Sequence, residues 1–466
     1  MAKRKTERGM TEEERMIPDI QDVLDKDRKF VWHMLFPHQE NVSPMVVTEG
    51  KGSWITDIHG NRYLDAMSGL WCVNVGYGRE ELARAAYEQL LRMPYYPLSQ
   101  SHLPAIRLAE KLSEWLKDDY VVFFTNSGSE ANETAFKIAR QYQQQIGQTG
   151  RYKIISRYRS YHGHSMGALA ATGQGQRKYK YEPLAAGFLR VRPPDAYRRP
   201  SGMTVEEYNL FCAREIEETI VWEGEETVAA LIMEPAITGG GVIVPHPVYM
   251  EEVQNICRRR GVVLIMDEVI CGFGRSGENF GHMNFRVRPD IVTMAKGLTS
   301  GYMPLGATAV RREIYEAFRQ EGPYGHLRLV STFGGHPAAC MVALKNLEII
   351  EREGLVARAR LLGERLRAEL AELLEHPLVG DVRTFGFLAG IELVADKTSK
   401  APLPLAAVNK IIGDCKKKGL IIGKNGDTVA EHNNVLTLSP PLSSTDEDVD
   451  FLVSTLKEVL RQHGKV

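Results

Sequence analysis

Two short apolar runs, Val262–Met266 and Ile291–Ala295, each stop at one ionisable residue, Asp267 and Lys296. Both have strand length and are rich in β-branched residues, so they read as buried strands of a sheet. In an open parallel sheet, ligands occupy the crevice at the carboxyl ends of the strands, and an acid and an amine placed there face one space. A lysine in a partly desolvated pocket condenses with an aldehyde, while an aspartate holds a pyridine nitrogen protonated. The pair therefore meets the minimum requirement of a pyridoxal phosphate site. Taken alone, Lys296-Gly297 also fits a solvated turn, and Asp267-Glu268 fits a metal site or an ordinary loop.

The surrounding pattern favours such a sheet. Strand-like runs recur at Val121–Thr125, Tyr152–Ser156, Val228–Met233 and Leu305–Val310, with helical periodicity between several of them. Alternating β and α elements imply a mostly parallel sheet covered on both faces. Before it, Met45–Thr48, Trp54–Asp57 and Arg62–Asp65 read as a small meandering sheet, and Arg79–Arg92 as an amphipathic helix. Pro193–Tyr208, rich in Pro and Arg, is expected to be a surface excursion, and a long helical stretch is expected from Pro337 to about Leu374. Strands near Val382–Glu392 and Val435–Ser439 with helices near Leu405–Lys418 and Glu447–Gln462 complete a smaller α+β unit. The expected division is a flexible tail over 1–16, a segment 17–80 contributing to the small domain, a large domain 81–337 and a small domain 338–466. Phe30, Trp32, His33, Phe36 and His38 cluster near the N-terminus, as packing or as a flap over a pocket wall.

Composition narrows the partners. The 466-residue chain carries 58 Lys and Arg against 59 Asp and Glu, a net charge of −1 that supplies no field for nucleic acid or a membrane surface. A small neutral or zwitterionic substrate fits better. The six cysteines show neither a CxxC nor a disulfide-like spacing, which favours reduced thiols and a cytoplasmic location. No apolar run is long enough to span a bilayer, and the charged N-terminus lacks the apolar core of a signal peptide.

Other motifs fall at the same strand ends. Ser127, Gly128 and Ser129 lie between a strand and a helix start, where backbone N–H groups and the helix dipole favour an anion such as phosphate, although the same residues are an ordinary helix cap. Tyr161, in Tyr161-His162-Gly163-His164, follows a strand and suits stacking on a flat ring. The two histidines lack the acidic or Cys company of a metal site, so no metal is expected. Glu234 ends Val228–Met233 and either orients a neighbour or forms a strand-end salt bridge.

Together NSGSEANETAFKIARQY, YHGHSMGALAATG, MEPAITGGGVIVP, the Val262–Gly297 stretch and STFGGHPAAC resemble the class III pyridoxal-phosphate aminotransferases of fold type I. SGLWCVNVGYGREE, DEVICGFGRSGE and NGDTVAEHNNVLTLSPPLS resemble the ω-amino acid and amine:pyruvate branch, including the taurine–pyruvate type. The resemblance implies an α/β fold with a large, mostly parallel sheet covered by helices and a smaller α+β domain built from both chain ends. It implies pyridoxal 5'-phosphate joined to Lys296, with Asp267 on its ring nitrogen, Val269 and Tyr161 on its two faces, and His162 and Glu234 among the supporting residues. Ser127, Gly128 and Ser129 would hold the phosphate, Thr332 would reach the neighbouring subunit's phosphate in a homodimer, and Trp71 would line the substrate pocket. Amine donor and α-keto acid acceptor would then alternate in a ping-pong reaction, with pyruvate giving alanine and taurine or β-alanine as donors.

Many such proteins carry an arginine ahead of Ser-Pro-Pro to clamp the substrate carboxylate, but here the chain reads Val435-Leu436-Thr437-Leu438-Ser439-Pro440-Pro441. The preceding segment offers only Gly423 or Lys424. A buried carboxylate needs a partner, and Arg159, two positions before Tyr161, would point to the same side if the chain were extended. A surface ion pair is the alternative role for Arg159. Two other readings are the adenosylmethionine-8-amino-7-oxononanoate aminotransferase of biotin synthesis, echoed by Trp32, His33 and Pro37, and a cofactor-binding protein without turnover.

Overall fold

A computed structural model describes residues 19–37, 43–425 and 429–464. The expected tail over 1–16 and His38 lie outside the described residues. The centre is a sheet of seven strands in the order Tyr120–Thr125, Gly306–Arg311, Ile291–Met294, Val263–Asp267, Val228–Met233, Lys153–Arg157 and Phe188–Val191. All neighbours are parallel except Gly306–Arg311, which runs antiparallel to both strands beside it. Val228–Met233 is buried at every position, as a strand covered on both faces must be.

Helices supply that cover. Gly128–Gln145 packs across the middle strands through Ala131, Ala135, Ile138 and Ala139, small and branched side chains that let it lie close to the sheet. Val205–Trp222 and Pro247–Arg260 pack against each other and, through Ile216, Ile220, Val253 and Ile256, against the sheet. Pro247–Arg260 ends in three arginines that suit the negative end of the helix dipole, and Gly261, at φ +62°, makes the left-handed turn into the next strand.

Two smaller sheets flank this core. Val47–Lys51, Trp54–Asp57 and Arg62–Asp65 form the expected meander, and Leu420–Ile421 joins it in parallel from near the other chain end. The other sheet orders Val379–Phe385, Leu388–Asp396, Val435–Leu438 and Gly423–Lys424, all antiparallel.

The structure corrects several sequence expectations. The helical stretch after Pro337 is divided into two helices, Pro337–Arg352 and Leu355–Ala371, because Gly354 turns at φ +61° between them. The strand region near Val382–Glu392 is a hairpin of Val379–Phe385 and Leu388–Asp396, folded at Gly386, also left-handed. Phe188–Val191 is an edge strand that its short, Arg-containing sequence concealed. Pro193–Tyr208 is not purely a surface excursion: Asp195 and Tyr208 are buried, and the Val205–Trp222 helix begins inside it. Near the N-terminus, Phe30 and Trp32 stay exposed after the Ile20–Phe30 helix, and His33 packs edge-on against Phe36.

Candidate active site

Asp267 ends its strand in register with Thr293 on the neighbouring parallel strand, so Lys296, just past the end of that strand, emerges at the same sheet edge. Parallel pairing of two apolar runs is what brings the acid and the amine together. Lys296 takes φ +43°, a region that side chains with a Cβ rarely adopt, and it is half-buried between buried Ala295 and Gly297. Strain of this kind is kept where the surrounding structure holds a reactive group in place.

Asp267 is almost fully buried and its carboxylate is held from three sides. Oδ2 accepts from Asn132 Nδ2 at 2.8 Å and lies 2.8 Å from His162 Nδ1, while Oδ1 accepts from the Val269 N–H at 3.1 Å. Asn132 also donates to the His162 carbonyl at 2.6 Å and accepts from the Thr293 hydroxyl at 2.7 Å. The carboxylate is thereby fixed in orientation and left able to accept one more charged donor.

Glu234 lies beside this group. Its Oε1 accepts from the Tyr161 N–H at 3.2 Å and its Oε2 from the N–H and hydroxyl of Thr238 at 3.0 and 2.8 Å. Burial pushes its carboxyl above the usual range, and although His162 opposes the rise, the Asp267 carboxylate adds to it. Glu234 therefore orients Tyr161 and the Thr238 turn instead of forming a strand-end salt bridge. Burial also raises the Tyr161 phenol.

The turn before Gly128–Gln145 has the form of an anion cradle. Ser127 caps the helix, its hydroxyl accepting from the Glu130 N–H at 3.2 Å. A Cβ on Gly128 would lie 2.9 Å from both γ-carbons of Val269, so only glycine lets the helix start sit against that side chain. Ser129 Oγ lies 3.0 Å from His164 Nδ1 and accepts from the His164 N–H at 3.2 Å, which ties the cradle to the Tyr161–His164 segment. His162 and His164 thus serve different partners, and among the described residues no group of His, Cys, Asp and Glu is placed to hold a metal ion.

The structure corrects the role given to Arg159. Its backbone is at φ +67°, so the chain there is not extended and the two-residue alternation fails. Its guanidinium is buried against Asp195, Nη1 to Oδ2 at 2.5 Å, and Nη2 donates to the Gly240 carbonyl at 2.7 Å. A carboxylate clamp needs an open fork, and this one is closed. Arg159 belongs instead to a buried charge network with Asp195, Arg198, Asp381, Arg383 and Glu392, in which Arg383 donates to the Gly241 carbonyl at 2.8 Å.

Trp71 is buried with Met67, Val242, Cys271 and Phe385. Thr332 is exposed; its carbonyl accepts from the Tyr95 hydroxyl at 2.8 Å, and the adjacent Ser331 hydroxyl accepts from Asn126 at 3.2 Å. Sequence reasoning missed Asn132, whose signal was its spacing: four residues after Gly128 on a helix, it shares the cradle's face. It also missed Arg275, fully buried, which donates to Asn74 Oδ1 at 2.8 Å and to the Pro440 carbonyl and so joins three distant segments.

A strained lysine and an oriented, buried aspartate at one edge of a parallel sheet, with a glycine-serine helix start between them, form the residue set of a pyridoxal phosphate enzyme. The chain belongs to the class III aminotransferases: residues 35–460 match that family. It is 61% identical over 95% of its length to the uncharacterized aminotransferase YhxA of Bacillus subtilis (strain 168), covering 97% of that protein. It is 41% identical to the taurine–pyruvate aminotransferase of Bilophila wadsworthia, over 94% of this chain and 97% of the other. The ω-transaminase of Pseudomonas jessenii in complex with PMP superposes with a TM-score of 0.90 at 36% identity, over 94% of this chain and 98% of that one. The cofactor of this enzyme is accordingly pyridoxal 5'-phosphate.

Proposed function

We propose that this aminotransferase moves the amino group of an ω-amino acid or simple primary amine, with taurine and β-alanine as leading donors, to pyruvate, giving alanine. The observation that carries the reading is the shared edge of Asp267 and Lys296 within a chain that resembles a taurine–pyruvate aminotransferase along nearly its whole length.

Bound pyridoxal phosphate supplies an aldehyde and an electron-accepting ring. Lys296 would hold the cofactor through Nζ and, when not so bound, would serve as the base and acid that moves the proton of the substrate carbon. Asp267, oriented by Asn132 and His162, would hold the proton on the ring nitrogen. Val269 and Tyr161 would hold the ring, and Ser127, Gly128 and Ser129 would hold the phosphate. In a homodimer, Thr332 of the partner subunit would complete that cradle, and Trp71 would border the substrate. Donor and acceptor use the site in turn, so initial-rate plots are parallel, as a ping-pong scheme requires. All six cysteines are free, which supports work in the cytoplasm.

The test is alanine formation from pyruvate by the purified, cofactor-loaded protein with taurine, β-alanine and 1-phenylethylamine as parallel donors. Alanine from taurine or β-alanine supports an ω-amino acid substrate, and alanine from 1-phenylethylamine alone narrows the donor to hydrophobic amines. If no donor gives alanine while borohydride still traps an imine on Lys296, the reading fails. S-adenosylmethionine is then the donor to try, as in biotin synthesis, and a null result there leaves a cofactor binder without turnover.

A further inference from the structure

Asp267 and Thr293 stand opposite each other on two parallel strands, and the helix Gly128–Gln145 packs over both. Thr293 is fully buried in Ile291–Met294, a run otherwise apolar. Valine has nearly the same shape and suits a buried strand as well, whereas a hydroxyl there is costly unless it is hydrogen-bonded. The Thr293 hydroxyl has such a bond: it donates to Asn132 Oδ1 at 2.7 Å.

The Asn132 amide is held in one direction. Its Nδ2 donates to the His162 carbonyl at 2.6 Å and to Asp267 Oδ2 at 2.8 Å. Turned over, it would set Oδ1 against a carbonyl and a carboxylate, both acceptors. The Thr293 hydroxyl satisfies the amide oxygen that this orientation leaves in the interior, and its donation polarises the amide so that Nδ2 donates more strongly. Hydroxyl, amide and carboxylate thus form one chain that ends on Asp267. Thr308 supplies a contrast. It pairs with Thr293 on the next strand and is also fully buried, and its hydroxyl donates to the Ala131 carbonyl at 2.8 Å. Both threonines tie the same helix to the sheet, but Thr308 binds backbone where Thr293 binds the side chain that holds Asp267.

We infer that Thr293 is a positioning residue for the ring nitrogen of the cofactor, acting through the Asn132 amide on Asp267. The inference rests on the place given to Asp267 under the proposed function.

The test titrates the whole chain, freed of cofactor, with pyridoxal 5'-phosphate and with its carbon analogue, in which C–H replaces the ring nitrogen, and reads both dissociation constants by absorbance. Loss of one link to a buried carboxylate is expected to weaken pyridoxal phosphate binding about 10-fold in Thr293→Val, with the carbon analogue changed by less than about twofold. Thr293→Ser keeps the hydroxyl and should restore most of the affinity. Thr308→Val removes a matched hydrogen bond and should leave the ratio of the two constants at its wild-type value. In an Asn132→Ala background, Thr293→Val should not change that ratio further. Unchanged or equally weakened binding of the two compounds in Thr293→Val, the same selective loss in Thr308→Val, or a full further loss in the Asn132→Ala background would overturn the inference. If the wild type binds both compounds equally, Asp267 does not read the ring nitrogen, and its role falls together with that of Thr293. No substrate enters the assay, so the outcome is independent of which donor and acceptor the enzyme uses.

Discussion

Gly128→Ala probes whether the cradle and Val269 form one fitted wall. Gly128 is not in a left-handed conformation, so space alone demands glycine there. The added β-carbon would meet Cγ1 and Cγ2 of Val269 at 2.9 Å, roughly half an ångström inside normal carbon contact. Val269 cannot retreat freely, because its N–H is bonded to Asp267 Oδ1 at 3.1 Å, so a shift there moves the carboxylate as well. Overpacking of this kind costs about 1–3 kcal/mol, which corresponds to roughly 5- to 150-fold in an equilibrium constant. Because Val269 borders the proposed ring site, the loss should fall on pyridoxal phosphate affinity more than on folding of the apoprotein. Titrating apoprotein with the cofactor, followed by absorbance, gives the first quantity, and the apoprotein Tm gives the second. Adding Val269→Ala removes both offending carbons and should recover part of the affinity despite the lost wall, a favourable coupling of about 1 kcal/mol or more. A double variant that binds no tighter than Gly128→Ala, or an apoprotein Tm that falls while affinity holds, would refute the fitted-wall argument.

Three further outcomes are expected. Arg159→Ala leaves Asp195 buried without its partner and should cost about 3–5 kcal/mol of stability in urea unfolding, with equal activity losses for pyruvate and propanal; a pyruvate-selective loss would restore the clamp role. Asp267→Asn keeps the shape but removes the charge, so the protein should still take up cofactor by absorbance while kcat falls by about 100-fold or more. Burial opposes ionisation of Glu392, but the guanidinium groups of Arg383 and Arg198 outweigh it and hold the carboxyl at about 2, below its ordinary 4.5. A lowered folded value gives stability that is present above the unfolded value, so it should be lost as pH falls from about 4.5 toward about 2, and Glu392→Gln should flatten acid unfolding in that window.

The central sheet was legible because its signal is local and strong. Runs such as Val228–Met233 are apolar at every position, which only a strand covered on both faces tolerates, and several are followed at once by an ionisable residue. Asp267, Lys296 and Glu234 could be placed at one edge from that rule, since carboxyl ends of parallel strands share an edge. The Phe188–Val191 strand was hidden because an edge position relaxes the apolar requirement, and the break at Gly354 because helical periodicity runs on either side of it.

Arg159 was misplaced for a different reason. Its assignment assumed an extended chain up to Tyr161, but a single left-handed residue redirects the side chain, and nothing in the local sequence announces φ +67° at an arginine. The partner that fixes its charge, Asp195, lies on a segment whose Pro and Arg content suggested solvent, so burial of the pair depends on tertiary packing alone. Burial makes the difference between a clamp and a strut: a guanidinium closed on an internal carboxylate cannot exchange that partner for a substrate without stranding a buried charge.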